Sequence, residues 1–365
     1  MKRLAVVPSD PIADYLKGGY SESWLRDYYN PGKFFDEVYL FSPEENDSAD
    51  CLGMRVVRTP TRDFKKNIRR FQIDVVRAYG GNWACRLACE NKVAGVPVVV
   101  SVHDTRPELL YNSVAKADVV FCVAKAVEKL VHSKYARTER IWSLPNRVDF
   151  DIMKPSGADE LHEFKFQCPF KYKILHVGRL VEQKNLDTLL KALAVLGKDY
   201  GVIVVGMGDK IHYQNIALQA GVVDRTVFIE SVNHHDLAKY YSLCDCMCTP
   251  SRWEGFGMVF IEALACESVV VTSDIAPMNE FIKDTENGLL VKSYQDPMAL
   301  AKTIREACQN ESLRRQLKMN ARSSVERFER RHIDQLEADY YKKILLMKDH
   351  KEFEGSFWQK IFQRA

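Results

Sequence analysis

The sequence predicts an α/β protein made of two Rossmann-like domains that face each other across a cleft. Three observations carry this. Apolar strand-like runs alternate with helix-like stretches along most of the chain. The alternation halts once, at a polar stretch from Ser156 to Phe170, and then restarts. At 365 residues the chain is long for one core and comfortable for two. The first domain is placed at 1–155 and the second at 156–344.

Composition narrows the function classes. Apolar residues make up 46% and the formal charge is +3, a balance that does not call for nucleic acid. No run of about twenty apolar residues offers a transmembrane helix. The opening MKRLAVVPSD has too short an apolar stretch for a secretory signal. The ten cysteines are scattered, several within apolar runs. Cys244, Cys246 and Cys248 alternate, so on a strand they share one face. The pattern lacks the paired C-x-x-C spacing of a zinc site, and core packing is the expectation. The cytosol is the natural compartment for such thiols.

In the first domain, Leu4–Val7 reads as a buried strand. Gly18-Gly19 follows, before a helix-like stretch from Glu22 to Tyr29; paired glycines there form either a ligand cradle or a plain loop. Glu37–Phe41 and Met54–Val57 are further strands. Between Arg55 and Lys92 ten basic residues face three acidic ones. Such a run is either a solvated face or a surface meeting anionic lipid or a phosphorylated acceptor. Ile73–Arg77 reads as a strand stopped by Gly80-Gly81, and Trp83–Val93 as a helix. Pro97–Val102 is continuously apolar, as a strand buried on both faces requires. His103 follows at its carboxyl end, where open α/β sheets bind ligands, although a histidine there also serves as a core hydrogen-bonding group. Asp118–Val123 and the helix Lys125–His132 come next.

In the second domain, Lys173–Gly178 is the first strand. Arg179 and Lys184 flank the loop before an amphipathic helix at Leu186–Leu196. Two cations at a helix N-terminus oppose its macrodipole, and an anion bound between them resolves the conflict. A diphosphate suits them, with Arg bidentate and Lys a point charge. Val202–Val205 ends in Gly206-Met207-Gly208, weak by itself but at another carboxyl-end loop. Thr226–Val232 and Cys244–Thr249 are strands, and Leu300–Met347 is helical.

Ser251–Val271 organises the rest. Glu254 precedes Gly255-Phe256-Gly257, and a helix-like stretch opens at Met258-Val259 and carries Glu262. Free N–H groups at that helix start favour an anion. Two carboxylates flanking an anion-binding turn make sense where the ligand also offers hydroxyls, as a sugar nucleotide does.

Glu-Gly-Phe-Gly with a second Glu eight positions after the first resembles the signature of retaining GT-B glycosyltransferases of family four, the glycosyl transferases group 1. Gly178-Arg179 with Lys184 resembles that family's phosphate clamp. Pro145-Asn146-Arg147-Val148-Asp149 resembles its segment before the linker, with Arg147 where the family has Gly. The resemblance implies a GT-B fold whose last helix, about 345–365, crosses back to an N-terminal acceptor domain. It implies transfer of a hexose from a nucleotide diphosphate sugar, UDP- or GDP-linked, to a glycan or lipid-linked acceptor, with retention. Arg179 and Lys184 would neutralise the leaving diphosphate, Glu254 would hold a sugar hydroxyl and His103 would orient the sugar. Glu262 would hold the ribose, backbone at Val232 would meet the base, and Gly18 and Gly19 would bind donor phosphates or the acceptor. No metal and no cofactor are expected, because no Asp-x-Asp stands on a suitable loop. The basic run and the aromatic, basic tail from Phe353 to Arg364 suggest peripheral association with an inner membrane face and an acceptor of cell-surface polysaccharide or glycolipid synthesis. A sugar-nucleotide epimerase, a phosphorylase and a non-catalytic binding module of the same fold are the competing readings.

Overall fold

Runs of β-branched residues bounded by glycine and polar turns form two parallel sheets in the computed structural model. The structure describes residues 1–17, 22–43, 50–51, 53–157, 161 and 169–349. Gly18, Gly19 and the segment Phe353–Arg364 lie outside these. The chain divides into two units, Met1–Pro145 with His332–Ala365, and Asn146–Arg331.

The first unit holds β1 (Arg3–Val7), β2 (Glu37–Ser42), β3 (Asp50–Cys51), β4 (Met54–Arg58), β5 (Val75–Tyr79), β6 (Val98–Val102), β7 (Val119–Cys122) and β8 (Ile141–Ser143). Their order is β3-β4-β2-β1-β5-β6-β7-β8. Only β3 runs antiparallel, against β4 at the sheet edge. β1 lies centrally, with Leu4 opposite Val38 on one side and Val75 on the other. β5, β6 and β7 are buried along their whole length; β6 and β7 read as apolar runs for that reason, while β5 carries Arg77 at its centre.

The second unit holds β9 (Tyr172–Val177), β10 (Tyr200–Val205), β11 (Thr226–Ile229), β12 (Cys246–Thr249), β13 (Val270–Ser273) and β14 (Leu289–Val291), in the order β11-β10-β9-β12-β13-β14. Its core gathers Ile174, Leu189, Val202, Cys246, Cys248, Val271 and Ile304. No helix among the described residues is long and apolar enough to cross a membrane.

Four local expectations are corrected. β5 begins at Val75 rather than Ile73, because the Asp74 carboxylate accepts a hydrogen bond from the Arg3 backbone amide at 2.9 Å. Cys244 caps the helix His234–Leu243, so only Cys246 and Cys248 of the alternating trio lie on the strand. β11 stops at Ile229, leaving Val232 in a loop. The helical tail is three helices, Pro297–Gln309, Glu311–Ser324 and Arg330–Asp349, the first break falling at Asn310, whose side chain accepts from the Leu313 amide at 3.1 Å.

The basic run also separates into parts. Arg77 is 2% exposed, ion-paired with Glu337 of the last helix, and donates to Tyr341 Oη at 2.9 Å and Ser101 Oγ at 3.0 Å. Lys92 pairs with Asp118. The exposed cations concentrate on the helix Phe64–Arg70 and just before it: Arg62, Lys65, Lys66, Arg69 and Arg70, while Phe64 and Ile68 turn inward.

Candidate functional site

Counted from β9, the second sheet runs 3-2-1-4-5-6, and ligands in such sheets bind at carboxyl ends where the order reverses. That point lies between β9 and β12. The loops leaving these two strands are the ones that carry Arg179 with Lys184, and Glu254 with Gly255-Phe256-Gly257.

The first loop is shaped by close backbone approach. Gly206 has φ +157, and a Cβ there would stand 1.9 Å from the Gly178 carbonyl oxygen. Leu180 N donates to Met207 O at 2.7 Å, and Leu180 bridges to Gly208. The G-x-G at 206–208 therefore seats the clamp loop. Gly178 in turn carries the lysine: a Cβ on it would lie 3.1–3.2 Å from Lys184 Cε, Cδ and Cγ. A short 3-10 turn, Glu182–Lys184, and Asn185 in the left-handed region lead into the helix Leu186–Val195. Asn185 donates to Pro250 O at 2.9 Å and Tyr294 O at 3.1 Å, which ties the turn down.

Lys184 is buried and Arg179 is exposed. The Lys184 ammonium donates to Glu254 Oε1 at 2.5 Å, where Ser251 Oγ also donates at 2.8 Å; Gln183 Nε2 reaches Oε2 at 3.3 Å. An ammonium has three donors, so the pairing leaves Lys184 others to offer a ligand. Arg179 has no ion-pair partner among the described residues. Beneath them His176 is fully buried, with Nδ1 3.1 Å from the Cys248 carbonyl. Burial, aided by the Lys184 charge, lowers its pKa to about 4 despite that backbone bond, so the imidazole is neutral at pH 7.

The two loops are laced together by residues to which the sequence reading assigned no role. Arg252 grips both Asp187 carboxylate oxygens at 3.1 Å, its backbone N–H donates to Gln183 O at 2.8 Å, and Gln183 Nε2 donates to Trp253 O at 2.9 Å. Both Asp187 contacts come from one guanidinium nitrogen, Nη2, which centres it on the carboxylate. No motif announces this pair, since Asp187 and Arg252 are 65 residues apart.

Gly257, with φ +91, starts the helix Met258–Ala265. Met258 and Val259 form its half-exposed first turn and Gly255 is half-buried, whereas the Phe256 ring is buried against Phe281 and Phe328, at centroid distances of 5.7 and 5.4 Å. Glu262 is 7% exposed and accepts from Tyr241 Oη at 3.1 Å, with His234 Nε2 3.3 Å away. His234 and Tyr241 escaped sequence reading; the available signal was Asn233-x-x-Asp236, a helix-start pattern whose Asn233 side chain accepts from the Asp236 amide.

His103 lies in the first unit. It follows β6, half-buried, with its ring stacked on Tyr79 at 5.9 Å and an interplanar angle of 14°. Asp104 beside it pairs with Arg106 at 2.8 Å.

Two family models match the chain, Glycosyltransferase Family 4 over residues 37–152 and Glycosyl transferases group 1 over residues 160–324. The chain belongs to the glycosyl transferases group 1, family four. Among its curated relatives, a D-inositol 3-phosphate glycosyltransferase of Xylanimonas cellulosilytica is 30% identical over 228 residues, 59% of this chain and 54% of the relative. The chain spans about half the length of the curated relatives it matches, from 40% to 66% for the first three. Among solved structures, Anabaena HepE in complex with UDP and glucose superposes with a TM-score of 0.79 at 19% identity, covering 94% of this chain and 99% of that one. Sucrose-phosphate synthase from Thermosynechococcus elongatus gives 0.78 at 18% identity, covering 95% and 100%. These likenesses establish the GT-B fold. At Arg147, where the family has Gly, the backbone of this member is not left-handed.

Proposed function

We propose that this family-four member transfers a hexose from a nucleotide diphosphate sugar to a glycan or lipid-linked acceptor with retention of anomeric configuration. The observation that carries the reading is the pair of cations on the loop leaving β9 at the switch point: Lys184, buried against Gly178 and bonded to Glu254 on the loop that leads into the helix Met258–Ala265, and Arg179, exposed. As the sugar–phosphate bond lengthens, charge grows on the diphosphate; Arg179, Lys184 and the first-turn amides of that helix stabilise it more than they stabilise the bound donor. Glu254, which holds Lys184 in place, also offers Oε2 to a sugar hydroxyl. Glu262 accepts from the ribose, backbone at Val232 meets the base, and His103 orients the sugar. HepE, with bound UDP and glucose, supports UDP as the first nucleotide to test. The two clamp cations supply the charge for the leaving group, and turnover persists in the presence of a chelator.

Incubation with a panel of UDP- and GDP-sugars, with free nucleoside diphosphate as the readout, tests the reading. Release is expected with at least one donor, with and without EDTA, and Lys184→Ala lowers it by about 10²–10³. No release from any donor, or release unchanged in Lys184→Ala, overturns it. For the acceptor, the exposed cations of the helix Phe64–Arg70 support a membrane-bound class of cell-surface polysaccharide or glycolipid synthesis, each cation contributing about 1 kcal/mol near an anionic surface. The protein then sediments with anionic liposomes at low salt and not with neutral ones; equal, negligible sedimentation with both removes the membrane from the proposal.

A further inference from the structure

Both oxygens of the Glu262 carboxylate already have a partner on the protein. Tyr241 donates to Oε2 at 3.1 Å and His234 Nε2 stands 3.3 Å from Oε1. The two partners sit on one helix, His234–Leu243, which faces the helix bearing Glu262. They differ in kind. The Tyr241 phenol is fully buried, and burial together with the Glu262 charge holds its pKa well above 10, so it is a permanent donor. The His234 ring is 39% exposed, at the first residue of its helix. Burial works against its protonation, but the bond to Glu262 and the charges of Glu262 and Asp149 prevail and raise its pKa.

An ionised carboxylate offers about four lone-pair sites, two on each oxygen. Tyr241 and His234 take one on each. What remains is one acceptor site per oxygen on a group whose rotation is stopped from both sides. Two fixed acceptors side by side match two hydroxyls on adjacent carbons. A single hydroxyl leaves one of them desolvated and unmatched, and a site built to bind a hydroxyl rejects the analogue that lacks it.

We infer that His234 and Tyr241 are positioning residues that set Glu262 as a two-point acceptor for a vicinal diol, so that the site selects ribonucleoside over 2′-deoxyribonucleoside diphosphates. The inference rests on the reading of this unit as the nucleotide-sugar site. It adds to that reading a specificity that Glu262 alone, free to rotate, does not confer.

Calorimetric titration of UDP, GDP and their 2′-deoxy counterparts into the wild type, His234→Ala and Tyr241→Phe tests it. For whichever base binds, the wild type is expected to prefer the ribonucleotide by about ten-fold or more. Each variant compresses that preference several-fold by weakening the ribonucleotide while leaving the deoxynucleotide near its wild-type affinity. General damage to the fold weakens both ligands in parallel, and that result overturns the inference. A wild type that binds ribo and deoxy forms equally also overturns it, while leaving the donor-site reading intact. Failure of all four nucleotides to bind the wild type overturns both.

Discussion

His176 lies under the clamp lysine, and its protonation is linked to folding. Its pKa in the folded protein is lowered to about 4, first by burial and then by the Lys184 charge, against the opposing bond to Cys248 O. The folded state therefore binds fewer protons than the unfolded chain between pH 4 and the ordinary imidazole value of about 6.5, and stability falls as pH drops through that window. The contribution is complete above about pH 6.5, and up to about 3 kcal/mol of it is lost by pH 4. Urea unfolding of the wild type and of His176→Gln at pH 7 and pH 4.5 isolates it: the wild type should lose more stability than the variant. Equal losses would show that His176 titrates as it does in water. At this scale the sequence displays the clamp residues, because cations beside a helix start are unusual. It does not display that Lys184 and Glu254 hold each other, since that pairing depends on the separation of two strand ends.

The elements were legible wherever burial on both faces writes a continuous apolar run, as at β6, β7 and β10. They were less legible where a polar residue sits within a strand or an element is short. β5 carries Arg77 in mid-strand, which the charge count assigns to a surface run although the side chain is buried. The explanation stands on another element: Glu337, 260 residues later, on the helix Arg330–Asp349. That ion pair, with Tyr341 and Ser101 completing the guanidinium's bonds, docks the returning helix on the first sheet. Removing one partner strands a buried charge, and Glu337→Gln should cost about 3–5 kcal/mol in chemical denaturation. Replacing both with apolar residues, as in Arg77→Met with Glu337→Leu, should restore most of it. A single variant as stable as wild type would show that the pair contributes nothing to docking.

For the whole molecule, two parallel sheets were readable from the single restart of the βα rhythm, and the switch point followed from the strand order. Where the chain changes unit was not readable in the same way. The last helix is one continuous amphipathic pattern from Arg330 to Asp349, and the transfer to the first unit at His332 leaves no mark in its periodicity. The central claim concerns the second unit: its switch point is a diphosphate site. Titration of UDP against uridine tests this most directly, because the two ligands differ only in the group the clamp would hold. Wild-type protein should bind UDP at least about ten-fold more tightly than uridine. Lys184→Ala should remove most of that difference, and so, to a smaller extent, should Arg179→Ala, whose exposed side chain can be lost without disturbing the fold. UDP bound no more tightly than uridine, or a preference that survives both substitutions unchanged, would contradict the account.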